Sequence, residues 1–88
     1  MPKLSVLMPV YNESRTLRTI VGRVLSSPID LDIEIVAVDD GSKDDSVAIL
    51  QELAASDPRI RVIVQPHNMG KGKAIRTAIE HMTGDIGI

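Results

Sequence analysis

The sequence predicts an open α/β fold, a three-layer parallel sheet with helices alternating between its strands, on three observations. Apolar runs of strand length alternate with amphipathic stripes of helical period along all 88 residues. The run from Ile33 to Val38 is nearly continuous, as expected of a parallel strand covered on both faces. The chemically unusual polar residues gather in Pro9–Ser14, Asp39–Asp44 and Gln65–Lys73, each following an expected strand.

The elements follow in order. Leu4 to Met8 is a short apolar run closed by Pro9, and reads as the first strand. Leu17, Ile20, Val21, Val24 and Leu25 then fall at i, i+3, i+4, i+7 and i+8, the stripe of a helix that Pro28 should stop. Asp30 to Asp32 form a polar turn into the second strand, Ile33 to Val38. Ser42 with Asp45 resembles a capping box at the start of a helix with Val47, Leu50, Leu53 and Ala54 inward. Asp57-Pro58 ends it, and Ile60 to Val64 is the third strand. After the loop Gln65 to Gly70 comes a helix with Ala74, Ile75, Ala78, Ile79 and Met82 inward, stopped at Thr83-Gly84. Asp85 to Ile88 opens a fourth strand. Such a chain implies right-handed crossovers, with ligands beyond the carboxyl ends of the strands.

Composition narrows the function classes. A chain of 88 residues makes one small domain, and folding should bury only about 60–65% of its unfolded surface. The net charge is −2, from ten basic and twelve acidic residues, and Tyr11 is the single aromatic residue. Neither an electrostatic footprint nor a stacking platform for nucleic acid is present. With no cysteine there is no disulfide or thiolate metal site, and no secretory leader pattern opens the chain, so a cytoplasmic location is expected.

The three polar segments carry the chemistry. Pro9-Val-Tyr11-Asn-Glu13 stands where a dinucleotide-binding protein would place its glycine-rich turn. A rigid proline, a ring and a carboxylate could flank a flat base; equally, Asn12 and Glu13 could simply begin a helix, where acidic groups favour the dipole. Asp39 and Asp40 put two carboxylates at the end of a buried strand, costly unless something binds there or the backbone donates to them. An Asp-Gly turn with a helix cap is the plainer alternative. A phosphoacceptor receiver domain would need an acidic pair after the first strand, where Pro-Val-Tyr stands. His67 to Lys73 combines glycines and lysines at a helix start, which favours an anion, but it does not have Walker spacing. His67 and His81 have no third partner for a metal.

Taken together, Ser5-Val-Leu-Met-Pro-Val-Tyr-Asn-Glu13, Ile35-Val-Ala-Val-Asp-Asp-Gly-Ser42 and Asn68-Met-Gly-Lys-Gly-Lys-Ala74 resemble family 2 glycosyltransferases of the Rossmann-like GT-A fold. The likeness is greatest to the branch of dolichyl-phosphate mannose synthase and the polyprenyl-phosphate glycosyltransferases. It runs from about Lys3 to Ile88. The resemblance implies that Pro9, Tyr11 and Glu13 line the pocket of a UDP- or GDP-sugar. Asp40 would contact the base or ribose, with the backbone of Val38 beside it and Asp39 in a more structural role. Gly70, Lys71 and Lys73 would stand at the helix start, with a less direct part. The whole enzyme would transfer the sugar with inversion, with a polyprenyl phosphate as acceptor.

In the family the fourth strand leads to an Asp-x-Asp motif that holds Mg²⁺ or Mn²⁺ on the diphosphate and neutralises the leaving group. That motif is expected beyond Ile88, and Asp85 is not a metal ligand. The resemblance therefore implies that residues 1–88 form one truncated nucleotide-sugar-binding domain, catalytically incomplete and reaching a membrane only through other parts. A stub of fourth strand would expose an edge of the first, so self-association by sheet pairing is expected. A non-catalytic binding or assembly module is the alternative. A sugar-phosphate nucleotidyltransferase would want a glycine-rich first loop, which is missing.

Overall fold

The computed structural model describes residues 3–28 and 31–87. Along the chain lie β1 (Lys3–Val10), α1 (Leu17–Leu25), β2 (Asp32–Asp39), α2 (Ser46–Ser56), β3 (Ile60–Val64), α3 (Lys71–His81) and β4 (Ile86–Gly87). The strands form one parallel sheet in the order β3-β2-β1-β4. β2 is paired along its whole length with β1, from Lys3 opposite Asp32 to Val10 opposite Asp39, and β3 covers its other side from Ile35 to Asp39. β4 pairs only with Leu4 and Ser5 of β1.

Alternation along β2 builds two cores, because successive side chains of a strand point to opposite faces. Ile35 and Ala37 join Val10, Leu17, Val21, Leu50 and Ile60 under α1 and α2. Val36 and Val38 face the other way, onto Ala74 and Ala78 of α3. The result is the expected three layers, with the small alanines bringing α3 close to the sheet.

Several local expectations are corrected. β1 runs through Pro9 rather than stopping before it. The Val10 carbonyl accepts from the Asp40 N–H on the β2 side, at 2.8 Å. Pro9, one residue earlier, therefore turns its missing N–H away from β2, and the β1–β2 ladder loses no bond. α1 ends at Leu25, before Pro28, as the Ser26 and Ser27 hydroxyls donate back to the Gly22 and Arg23 carbonyls. Ile20 and Ile79, expected inward, are 41% and 51% exposed, since each lies at the margin of its stripe. The Ser42–Asp45 box does not form: α2 begins at Ser46, and the Ser42 hydroxyl is engaged by Asn12 instead. Of the expected turn at 30–32, Asp30 lies outside the described residues and Asp32 already belongs to β2.

The strand starts are tied together by one buried carboxylate. Glu34 accepts from the Ser5 hydroxyl at 2.6 Å, the Thr83 N–H at 2.6 Å and the Gly84 N–H at 3.1 Å. Lys3 and Arg61 approach it at 3.8 and 3.9 Å. Desolvation pushes its pKa up, but the bonds from Ser5 and Thr83 and the charge of Lys3 outweigh it and bring the pKa down to about 2. A side chain at Gly84 would meet the Lys3 carbonyl at 2.8 Å, so only glycine lets this corner close.

Candidate nucleotide site

The loops after β1, β2 and β3 meet at the carboxyl end of the sheet, and the β2 loop holds the other two. Toward the first loop it offers side chains to three successive backbone donors. Asn12 N–H donates to Ser42 Oγ at 2.9 Å, Glu13 N–H to Ser46 Oγ at 2.9 Å, and Ser14 N–H to Asp44 Oδ2 at 3.2 Å. Asn12 returns a bond, its Oδ1 accepting from the Lys43 N–H at 2.8 Å, and its φ of 50° is the left-handed conformation that asparagine tolerates. The Ser46 hydroxyl is the main cause that lowers the Asp44 pKa to about 2, against some desolvation and helped by N–H bonds from Ser46 and Ser14.

Toward the third loop the β2 turn offers Asp40 and Gly41. The Asp40 carboxylate is buried and accepts from Gln65 Nε2 and Met69 N–H, each at 2.7 Å, and from Gly70 N–H at 3.1 Å. Gly41 has a φ of 78°, and a Cβ there would meet the His67 carbonyl carbon at 2.7 Å. Asp39 differs from its neighbour. It is fully buried, its Oδ2 accepts from the Ser42 N–H at 2.9 Å, and its Oδ1 has no partner. An orphaned buried acceptor costs about 1–3 kcal/mol, and in a native structure it calls for a reason.

Two cavities open between the loops. One of about 200 Å³ is lined by Pro9, Tyr11, Glu13, Asp40 and Lys71. The other, about 610 Å³, is lined by Tyr11, Asp39, Ser42, Gln65, His67 and Asn68 among others. A third, about 620 Å³, lies at the opposite end of the sheet around Glu34 and Arg59, away from these loops.

The expected residues divide accordingly. Pro9, Tyr11, Glu13, Asp40 and Lys71 come together around the smaller cavity, and Tyr11 borders both. Glu13 also starts α1: its carbonyl accepts from Thr16 and Leu17, and its carboxylate from the Thr16 hydroxyl at 3.1 Å. The base-flanking and helix-starting readings are thus compatible. The Val38 side chain is buried against α3, and Lys73 is exposed on α3, lining neither cavity. Gly70 caps α3 with a φ of 93°. Asp85 is at the far end, accepting from the Lys3 N–H at 2.9 Å. Sequence reasoning missed Gln65, Asp44 and Ser46. Gln65 could have been found from position, since it and Asp40 each stand one residue beyond paired strand ends.

Asp40 faces N–H donors, Lys71 shares its cavity, and no cluster of three metal-ligating residues occurs among the described residues.

A parallel sheet of this order, with its polar loops at the carboxyl edge, is an open Rossmann-like α/β fold, and solved structures of the GT-A type share it. The chain superposes on S. aureus TarS with a TM-score of 0.86 at 24% identity, over 98% of this chain and 26% of that one. The Pyrobaculum calidifontis mannosyltransferase PcManGT, solved with GDP-Man and Mn²⁺, gives 0.84 at 28% identity, over 98% and 26%. Residues 5–88 match the profile of Glycosyl transferase family 2, and the chain belongs to that family. It is 39% identical to an undecaprenyl-phosphate 4-deoxy-4-formamido-L-arabinose transferase of Sodalis glossinidius, over 96% of this chain and 27% of that protein. It is 33% identical to a dolichyl-phosphate beta-glucosyltransferase of Trichomonas vaginalis, over 91% and 26%. The chain thus spans about a quarter of the length of these relatives.

Proposed function

We propose that this chain is the nucleotide-binding part of a glycosyltransferase that moves a sugar from a UDP- or GDP-sugar to a polyprenyl phosphate, with inversion. The carrying observation is that Asp40, a carboxylate acceptor, shares one cavity beyond the strand ends with Pro9, Tyr11 and Glu13. Uracil and guanine each present a ring N–H that such an acceptor would satisfy; the corresponding ring nitrogen of adenine is itself an acceptor. Pro9, Tyr11 and Glu13 wall that cavity, and Lys71 brings a positive charge to it. The acceptor class rests on the named activities of the relatives.

Transfer itself is proposed for the whole protein. A Mg²⁺ or Mn²⁺ on the diphosphate would be held by the family's Asp-x-Asp motif, expected after β4. A polyprenyl-phosphate acceptor is a membrane lipid, so the protein would act at the cytoplasmic face of a membrane. None of the described helices is long and apolar enough to cross one.

The test is calorimetric titration of the chain with UDP, GDP and ADP, with and without Mn²⁺. Saturable binding of UDP or GDP, little affected by Mn²⁺ and absent for ADP, is the expected result. Equal binding of all three would sink the reading.

A second reading, self-association, is favoured by the β1 edge, which β4 covers only at Leu4 and Ser5. Light scattering at high concentration should then show dimers or larger species, and a strict monomer would rule it out.

A further inference from the structure

The backbone between β1 and α1 gives its donors to the loop after β2. Three successive N–H groups, of Asn12, Glu13 and Ser14, end on Ser42 Oγ, Ser46 Oγ and Asp44 Oδ2. A glycine-rich dinucleotide-binding turn would leave such donors for a phosphate. Here all three are taken from within the chain, so residues 12–14 meet a ligand without backbone donors.

Asp44 is the centre of this arrangement. Its Oδ1 accepts from the Ser46 N–H at 2.9 Å and the Ser46 hydroxyl at 2.5 Å, while its Oδ2 accepts from the Ser14 N–H at 3.2 Å. Because the Ser46 hydroxyl gives its hydrogen to Asp44, its lone pairs are left to face the Glu13 N–H. Ser46 is fully buried and is the first residue of α2, which anchors the contact. Neither Asp44 nor Ser46 lines either cavity between the loops, whereas Pro9, Tyr11 and Glu13 line the smaller one.

Resting on the nucleotide-binding reading above, we propose that Asp44 is a positioning residue for the nucleotide. Directly at Ser14, and through the Ser46 hydroxyl at Glu13, it holds the first loop in the shape that brings Tyr11 and Glu13 to the cavity wall. It touches no ligand itself. A carboxylate is required because the Ser14 and Ser46 N–H groups fall on separate oxygens, and an amide has one acceptor for the two. A wall ordered in advance spares the ligand the cost of ordering it on binding.

Tyr11 is the single aromatic residue of the chain, so its fluorescence reports on this wall alone. Three quantities are read in the full chain, well below its melting temperature: Tyr11 anisotropy, hydrogen exchange of the Glu13 and Ser14 amides, and affinity for UDP and GDP. Asp44 is exposed, and Asp44→Asn leaves the core intact. It should lower the anisotropy, speed exchange and weaken the nucleotide by about threefold or more, the scale of one hydrogen bond. Ser46→Thr and Ser46→Val add similar bulk at a buried position and differ in the hydroxyl. The threonine variant should bind about tenfold tighter than the valine variant, which leaves the Glu13 N–H without an acceptor.

Weaker binding by Asp44→Asn with Tyr11 anisotropy unchanged would place Asp44 among the ligand's own contacts and overturn the proposal. So would Asp44→Asn binding as the parent does, or threonine and valine variants that bind alike. A parent chain that binds neither UDP nor GDP would defeat the nucleotide reading and the positioning role together; a parent that binds, with variants that bind equally well, would defeat the positioning role alone.

Discussion

The backbone of Asn68 lies directly on Gly41, close enough that a Cβ at Gly41 would come within 3.1 Å of the Asn68 Cα and closer still to its nitrogen. Gly41 also has a φ of 78°, so two independent constraints demand glycine there. Gly41→Ala should cost about 1–3 kcal/mol in a urea melt and weaken UDP or GDP together with stability. A neutral melt would show that the third loop does not rest on the β2 turn.

Acid should loosen the opposite end of the sheet. The Glu34 pKa is lowered from 4.5 to about 2 in the fold. The stability it supplies is fully present above pH 4.5 and is lost as pH falls toward 2. The bonds involved are buried, and the loss should be on the order of 1–3 kcal/mol. Glu34→Gln should be less stable at pH 7 and show a flatter decline between pH 5 and about 2. Parallel slopes for the two proteins would assign the acid sensitivity elsewhere.

Two positions on α3 should respond in opposite ways. Ala78 is fully buried against Val36 and Val38, so Ala78→Leu should cost about 1–3 kcal/mol by overpacking. Ile79 is 51% exposed, and Ile79→Lys should stay within about 0.5 kcal/mol of the parent. Thermal melts separate the two outcomes.

Periodicity in the sequence was enough for the layers and the strand pairing, because the apolar runs of β1, β2 and β3 carry it locally. The same local signal misplaced Ile20 and Ile79, for a stripe does not reveal how wide a face the sheet can cover. Pro9 was read as a stop because a proline's tolerance depends on which way its nitrogen faces relative to the partner strand β2, and that is not a local property of the sequence. The contrast between Asp39 and Asp40 was least legible. Two adjacent carboxylates look alike in sequence, and what separates them arrives from Gln65, Met69 and Gly70, which are 25 to 30 residues away. The three motifs nevertheless located the edge where these groups meet.

Both flanking loops are bound to the β2 turn, and among the described residues no hydrogen bond joins the first loop directly to the third. The two walls of the cleft can therefore swing or be remodelled one at a time, like jaws on a common fixed post. Length or side-chain changes in one jaw need not disturb the other, and a bulkier guest can be admitted by opening a single side. Under changing demands, the 39–46 segment is where variation should be least tolerated, and the segments 11–14 and 66–69 are where new ligand preferences should arise.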